Sequence, residues 1–292
     1  MSWNGTLAFG AGRALFLGHA GDTSQHAHWA IQVAIGRDAP LRHDVGGVAS
    51  IAGGVVVGSG VRHTLCADGA RVVLLFVEPL SDLGRAASAF VGDPGVAVLD
   101  ATVVRTVRRA AGNSADRVLD VASAALVRTF DGPASAAPGR ESARVRAMVD
   151  SVERLLHGRV RLPDVAHAVG LSPSRLAALV RRTTGMALRP YVRWCRLRRA
   201  TLAVVRGATL TEAAHEAGFA DSAHLARTMR AAFGVTPSAV LSQAGGRAER
   251  ARRAAPDIVS GTRAAPRSRA HQRAPDARRR TSTFRGPGPT GS

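Results

Sequence analysis

The chain has no lysine: all 40 of its basic residues are arginine, set against 21 acids. Without lysine, glycine-rich stretches such as 45–54 cannot supply the Lys-Ser/Thr of a phosphate-cradling P-loop. Arginine in place of lysine, together with abundant Ala, Gly and Val, fits a GC-rich coding sequence, so a single arginine carries little functional information. Cysteine is scarce. Cys66 and Cys195 stand far apart, which excludes a disulfide framework and a CxxC metal pair and fits a reducing compartment. Long apolar runs are missing too. The runs 55–57 and 72–77 are of strand length, too short to cross a bilayer. Residues 1–21 lack the charged start and apolar run of a signal peptide, so a cytoplasmic protein with no membrane partner is expected. No Ser/His/Asp arrangement suggests a hydrolase, and no enzyme activity is expected.

The net charge of +19 is unevenly spread. Residues 1–139 hold 11 Arg and 11 acids; residues 140–243 hold 17 Arg and 7 acids; residues 244–292 hold 12 Arg and 3 acids. The first region shares the arginine bias yet is neutral, so the positive charge of the other two is a regional property. It is the footprint expected of phosphate binding.

Within the basic region a unit occurs twice. LPDVAHAVGLSPSRLAALVRRTTG (Leu162 to Gly185) is echoed by LTEAAHEAGFADSAHLARTMRAAFG (Leu210 to Gly234). Leu162, Ala166, His167 and Gly170 recur 48 residues on. Leu176 and Gly185 recur 49 residues on, so the second turn holds one extra residue. Ala166 and Ala214 suit a close helix crossing. Gly170 and Gly218 suit a turn that needs positive φ. Ser172-Pro173 opens one second helix, and Asp221 or Ser222 caps the other. Gly185 and Gly234 end them. Leu176, Leu179 and Val180, and Leu225, Met229 and Phe233, form apolar stripes at helical spacing. Each unit therefore reads as a helix-turn-helix, and two in one chain point to recognition helices in successive major grooves of double-stranded DNA.

The stretches GLSPSRLAALVRRTTGMALRPYVRWCRLRRA and TLTEAAHEAGFADSAHLARTMRAAFGVTPSAV carry a specific resemblance. Gly218, Phe219, Asp221 and His224, then Phe233, Gly234 and Pro237, form a GF-x-D-x-x-H…FG-x-x-P pattern. Residues 143–241 thereby resemble the DNA-binding domain of the AraC/XylS family of bacterial transcription regulators. Leu225 and Met229 depart from it, standing where that family usually has aromatic residues. The resemblance implies a transcription activator or repressor that works with RNA polymerase.

The first 80 residues read as β, with strands at 29–35, 53–57 and 71–77. Residues 83–130 read as helical, with Val118, Leu119, Ala122, Leu126 and Val127 on one side of a helix over 116–129. His26, His28 and Gln32, followed by Gly58 to His63, resemble the HxHx₃E and GxxxH half-motifs of a cupin. That resemblance implies an α+β chain: a cupin-like β-barrel with following helices, then an all-α domain with two helix-turn-helix motifs. The expected domains are 1–130 (effector sensing or dimerisation, the latter through the helix at 116–129), a linker at 131–139, a DNA-binding domain at 140–243 and a disordered arginine-rich tail at 244–292. A first helix over 141–157 should turn Val145, Met148, Val152 and Leu155 inward. His26 and His28, on one side of a strand, could join His63 in holding Zn²⁺, Ni²⁺ or Fe²⁺. Gln32, standing where metal-binding cupins have Glu, weakens that reading, so these four residues are expected to line an effector pocket and no metal or other cofactor is assigned.

Early residues of a recognition helix face bases and later ones phosphates. The DNA-contacting residues are therefore Ser174, Arg175, Ala178, Arg181 and Arg182 in the first unit, and Ala223, His224, Arg227 and Arg230 in the second. Arg227 is the foremost base reader. Arg193, Arg196, Arg198 and Arg199, on the linking helix, are expected to be solvated or phosphate-facing. The expected function is a sequence-specific, effector-responsive regulator, as a homodimer or not. Its rivals are a cupin-type metalloenzyme fused to a DNA-binding domain and a non-specific architectural DNA binder.

Overall fold

A computed structural model describes residues 3–130, 140–184 and 186–237. The expected linker 131–139, Gly185, residues 238–243 and the tail 244–292 lie outside the described residues.

The amino-terminal half holds the strands β1 (Asn4–Gly10), β2 (Arg13–His19), β3 (Ile31–Gly36), β4 (Leu41–Val45), β5 (Val48–Ala52), β6 (Gly54–Val57), β7 (His63–Cys66), β8 (Arg71–Val77) and β9 (Val96–Val98). They form two antiparallel sheets, ordered β1-β2-β8-β3-β6-β9 and β5-β4-β7. The pair is open, compatible with a cupin-like barrel without being a closed one. Helices α1 (Asp82–Val91), α2 (Ala101–Ala110) and α3 (Ala115–Phe130) follow. The short β9 interrupts the stretch expected to be helical throughout, and Trp29 and Ala30 precede β3 instead of opening it.

Alternation along each strand divides the larger sheet into two faces. Leu15, Leu75 and Val33 are register partners across β2, β8 and β3, and all three join the core under α1–α3. Their neighbours Phe16, Leu74 and Ala34 are partners as well, and they point to the opposite face. Of the stripe expected on α3, Val127 is exposed, while Phe130 is buried.

The carboxy-terminal half is helical: α4 (Arg140–Leu155), α5 (Leu162–Ala168), α6 (Pro173–Thr184), α7 (Leu188–Val205), α8 (Leu210–Glu216) and α9 (Ser222–Phe233). On α4, Val145, Met148 and Val152 turn inward as expected. The fourth contact is Leu156, just past the helix end, and Leu155 is only half-buried. The Ser172 hydroxyl accepts from the Arg175 amide at the start of α6. Asp221 does the same for His224 at the start of α9. Thr209 and Glu212 close a reciprocal capping box on α8. Gly170, Gly218 and Gly234 all have φ between 66° and 78°, where a Cβ is disfavoured. Ala166 and Ala214 are fully buried at the helix crossings. Leu225 and Met229 are buried too, so losing the aromatic rings leaves that core apolar.

The two halves share cores. The sheet face bearing Phe16 and Leu74 packs in one cluster with Leu197 and Ala200 of α7 and with Phe219, Leu225 and Met229 of the second helix-turn-helix. Trp29, Ala30 and Leu80 join the core of α4–α7.

Candidate DNA-reading helices and the seam behind them

The two recognition helices, α6 and α9, each have an inner and an outer side. On α6, Leu176, Leu179 and Val180 are buried, while Ser174, Arg175, Ala178, Arg181 and Arg182 are exposed. On α9, Leu225, Met229 and Ala232 are buried, and Ala223, Arg227 and Arg230 are exposed at positions i, i+4 and i+7. His224 is half-buried, its ring edge-on to Phe219 at 5.3 Å, which ties it to the turn of its own motif. Between the two motifs lies a cleft of about 550 Å³ walled by Arg159, Arg189, Arg193 and Arg196.

The arginines of α7 divide. Arg193 is exposed. Arg196 donates to the Gly158 carbonyl at 2.8 Å, and Arg199 donates to His157 at 3.2 Å. Arg198 turns inward, contrary to the expectation that it faces solvent or phosphate. It donates to Glu78 Oε1 at 2.8 Å and to Glu153. Glu78 lies just after β8 and is buried, and its Oε1 also accepts from Trp194 Nε1 at 3.1 Å. One carboxylate from the sheet thus holds two side chains of α7. Sequence reading passed over Glu78, a lone acid after an apolar strand; the only signal was its position there, where solvation is not guaranteed.

His26, His28 and His63 come together as expected, though His26 and His28 precede β3 and are not within a strand. Their ring centroids lie 4.2 to 5.6 Å apart. All three are buried. Burial, reinforced by the neighbouring imidazoles, pushes His28 down to about 4 and His63 down to about 3. Burial lowers His26 as well. Each Nδ1 lies against a backbone carbonyl: His26 on Ser24 at 2.8 Å, His28 on Ala30 at 2.7 Å and His63 on Val61 at 2.9 Å. A carbonyl only accepts, so each Nδ1 carries the proton and each neutral ring keeps an accepting Nε2. Gln32 Oε1 lies 2.9 Å from His28 Nε2 and 3.3 Å from His63 Nε2. Acceptors there face acceptors. A half-turn of the amide brings its NH₂ to that place and gives two donors to two acceptors.

The cupin-like motif implies a metal ion at these rings. Four neutral donors would leave the double charge of a divalent ion buried without a carboxylate, which is costly. The half-turned amide pairs His28, His63 and Gln32 without an ion. His26, His28 and His63 each bring one ligand atom within 4.8 Å of the others, as a three-histidine site requires, but with Gln32 in place of a carboxylate nothing in the cluster offsets an ion's charge, and no metal is assigned.

Beside this cluster is a mainly apolar cavity of about 80 Å³, bounded by Leu74 and Phe76 from the sheet and by Leu197, Met229 and Phe233 from the helices, with His26 and Gln32 at its polar side. Phe233 reaches in from α9, its ring 5.5 Å from His28 and 5.4 Å from Phe76. The end of α9 abuts the loop before β3, where a Cβ on Gly234 would come within 2.7 Å of the Ser24 carbonyl oxygen.

Residues 165–243 match the family described as Helix-turn-helix domain, and the described part of that range holds both recognition helices, α6 and α9. The carboxy-terminal region is an AraC-type helix-turn-helix domain. The fold of the AraC-type domain and the sheets before it is shared by crystal structures of ToxT. ToxT from Vibrio cholerae O395 superposes with a TM-score of 0.55 at 9% identity, over 81% of this chain and 100% of that one. Unsaturated fatty acid bound wild-type ToxT from Vibrio cholerae strain SCE256 does so with a TM-score of 0.53 at 8% identity, over 79% and 95%. At these identities the likeness is one of fold. No curated protein matches the chain in sequence. No helix among the described residues is long and apolar enough to cross a membrane.

Proposed function

We propose that this DNA-binding transcription regulator is controlled by a small molecule in the seam cavity, and that α9 couples the two sites. The observation that carries the reading is the division of labour on α9. Arg227 and Arg230 point outward, while Met229 and Phe233 of the same helix wall the cavity. A ligand that displaces Phe233 therefore changes the end of a reading helix, and its differential affinity for the two arrangements sets the size of the response. ToxT, which shares the fold, has been crystallised with an unsaturated fatty acid, which supports a ligand for this architecture.

On DNA, α6 and α9 enter successive major grooves about 34 Å apart. Arg227 reads guanine, with Ser174 and Arg175 as the readers of α6. Ala178 and Ala223 meet a thymine methyl or sugar, His224 stays near the backbone, and Arg181, Arg182 and Arg230 hold phosphates. RNA polymerase is the downstream partner, a second copy joins through α3, and the protein acts in the cytoplasm without turnover of its ligand.

The test is selection of bound fragments from sheared genomic DNA at about 150 mM salt, which suppresses non-specific arginine binding. Wild type should return one motif near promoters. Arg227→Ala should relax one position of it, at a cost of about 1–3 kcal/mol. Absence of a motif, or selection unchanged by the substitution, would overturn the assignment.

A further inference from the structure

The geometry points to an uncharged, mainly apolar ligand that carries one hydroxyl or other hydrogen-bond donor, and to a seam cavity that rejects carboxylates. This rests on the cavity being the effector site, and it adds what the site accepts.

The polar groups around the cavity decide the matter. Arg198, the cationic side chain among the residues that wall it, already holds Glu78 and Glu153. A ligand carboxylate would have to compete with two resident ones. At the other side, the backbone carbonyls of Ser24, Ala30 and Val61 fix the proton of all three imidazoles on Nδ1. With its NH₂ turned to His28 and His63, Gln32 has its carbonyl oxygen at the other end of the amide. His26 Nε2 has no hydrogen-bond partner among the described residues, and both side chains border the cavity. The polar end of the cavity thus offers two acceptors, while the hydroxyl protons of Thr23 and Thr201, also on its wall, go to the carbonyls of Leu65 at 3.5 Å and Leu197 at 2.9 Å. A hydroxyl or N–H on the ligand satisfies the two acceptors. A carboxylate, which only accepts, meets lone pairs in an apolar surround and loses its hydration. At about 80 Å³ the cavity is below the 300 Å³ or so of common ligand pockets, so a compact molecule enters first and a longer one must push Phe233 aside.

Three probes of one shape separate the possibilities: 4-methylphenol, 4-methylbenzoate and toluene, titrated into the full chain at pH 7.5. Binding is followed by the fluorescence of Trp194, which borders the cavity, and by calorimetry. The phenol should bind at least tenfold tighter than the benzoate and several-fold tighter than toluene. His26→Phe should bring the phenol to the level of toluene, while toluene binding, retained, reports an intact cavity. Benzoate binding as tightly as the phenol, or a phenol preference untouched in His26→Phe, would overturn the donor rule and leave the cavity as the effector site. Failure of all three probes to bind would overturn both this inference and the placement of the effector.

Discussion

Glu78 is the side chain whose loss should be felt across the seam. Glu78→Gln keeps the shape and still offers Trp194 an acceptor, but it removes the charge that meets Arg198 at 2.8 Å. A hydrogen bond to a charged group contributes about 1.5–3 kcal/mol net. The side chains of Arg198 and Glu78 are 25% and 11% exposed, and Glu153 remains to hold the guanidinium. The expected loss is therefore near the lower end, about 1.5–2 kcal/mol, or ten- to thirtyfold in an equilibrium constant. Urea unfolding followed by tryptophan fluorescence gives the individual losses. The double-mutant cycle with Arg198→Met isolates the pair. A coupling above about 1 kcal/mol fits a desolvated clasp. Below about 0.5 kcal/mol it would have the value of an exposed surface pair, and the clasp would be refuted as a determinant of the seam.

Three further outcomes follow from the same geometry. His28 and His63 are folded with their pKa values lowered from 6.5 to about 4 and about 3, so the unfolded chain binds more protons over that interval. Stability is fully present above about pH 6.5 and falls on acidification towards those values, by about 1.4 kcal/mol per pH unit for each ring. Urea midpoints at pH 7.5 and 5.5 should show this, and His63→Gln should flatten the difference. Gln32→Glu supplies the missing carboxylate, so it should take up Co²⁺ with tetrahedral absorption bands; wild-type protein binding Co²⁺ equally well would show the present donor set to be sufficient. Ala214→Leu places a large side chain in a fully buried helix crossing. It should cost about 1–3 kcal/mol in thermal or urea unfolding, whereas a neutral result would mean that the helices can part there without loss of packing.

The local order of the helical half was legible because its determinants are local. Ser172, Asp221, Gly170 and Gly218 act on their own turns, and the repeat fixes which helix is which. The grouping of His26, His28, Gln32 and His63 was legible because each stands at a recognisable spacing. Leu155 and Leu156 were confused because one residue turns a helical side chain by about 100°. Val127 was misplaced on α3 because an apolar residue is permitted to stay exposed. Arg198 and Glu78 were missed for a deeper reason: they are 120 residues apart, and an arginine on a basic helix looks the same whether it meets phosphate or a distant carboxylate.

Helix α7 runs through both cores at the seam. Its Tyr191, Trp194 and Cys195 belong to one, and its Leu197, Ala200, Ala203 and Val204 to the other. The sheet half and the helical half are consequently not interchangeable modules. A chimera that joins this reader to another barrel would bring Phe233 and Met229 to a foreign surface and leave Arg198 without Glu78. A compatible barrel must supply an apolar face of matching shape and an acid where Glu78 stands, so the two halves can be exchanged only as a pair.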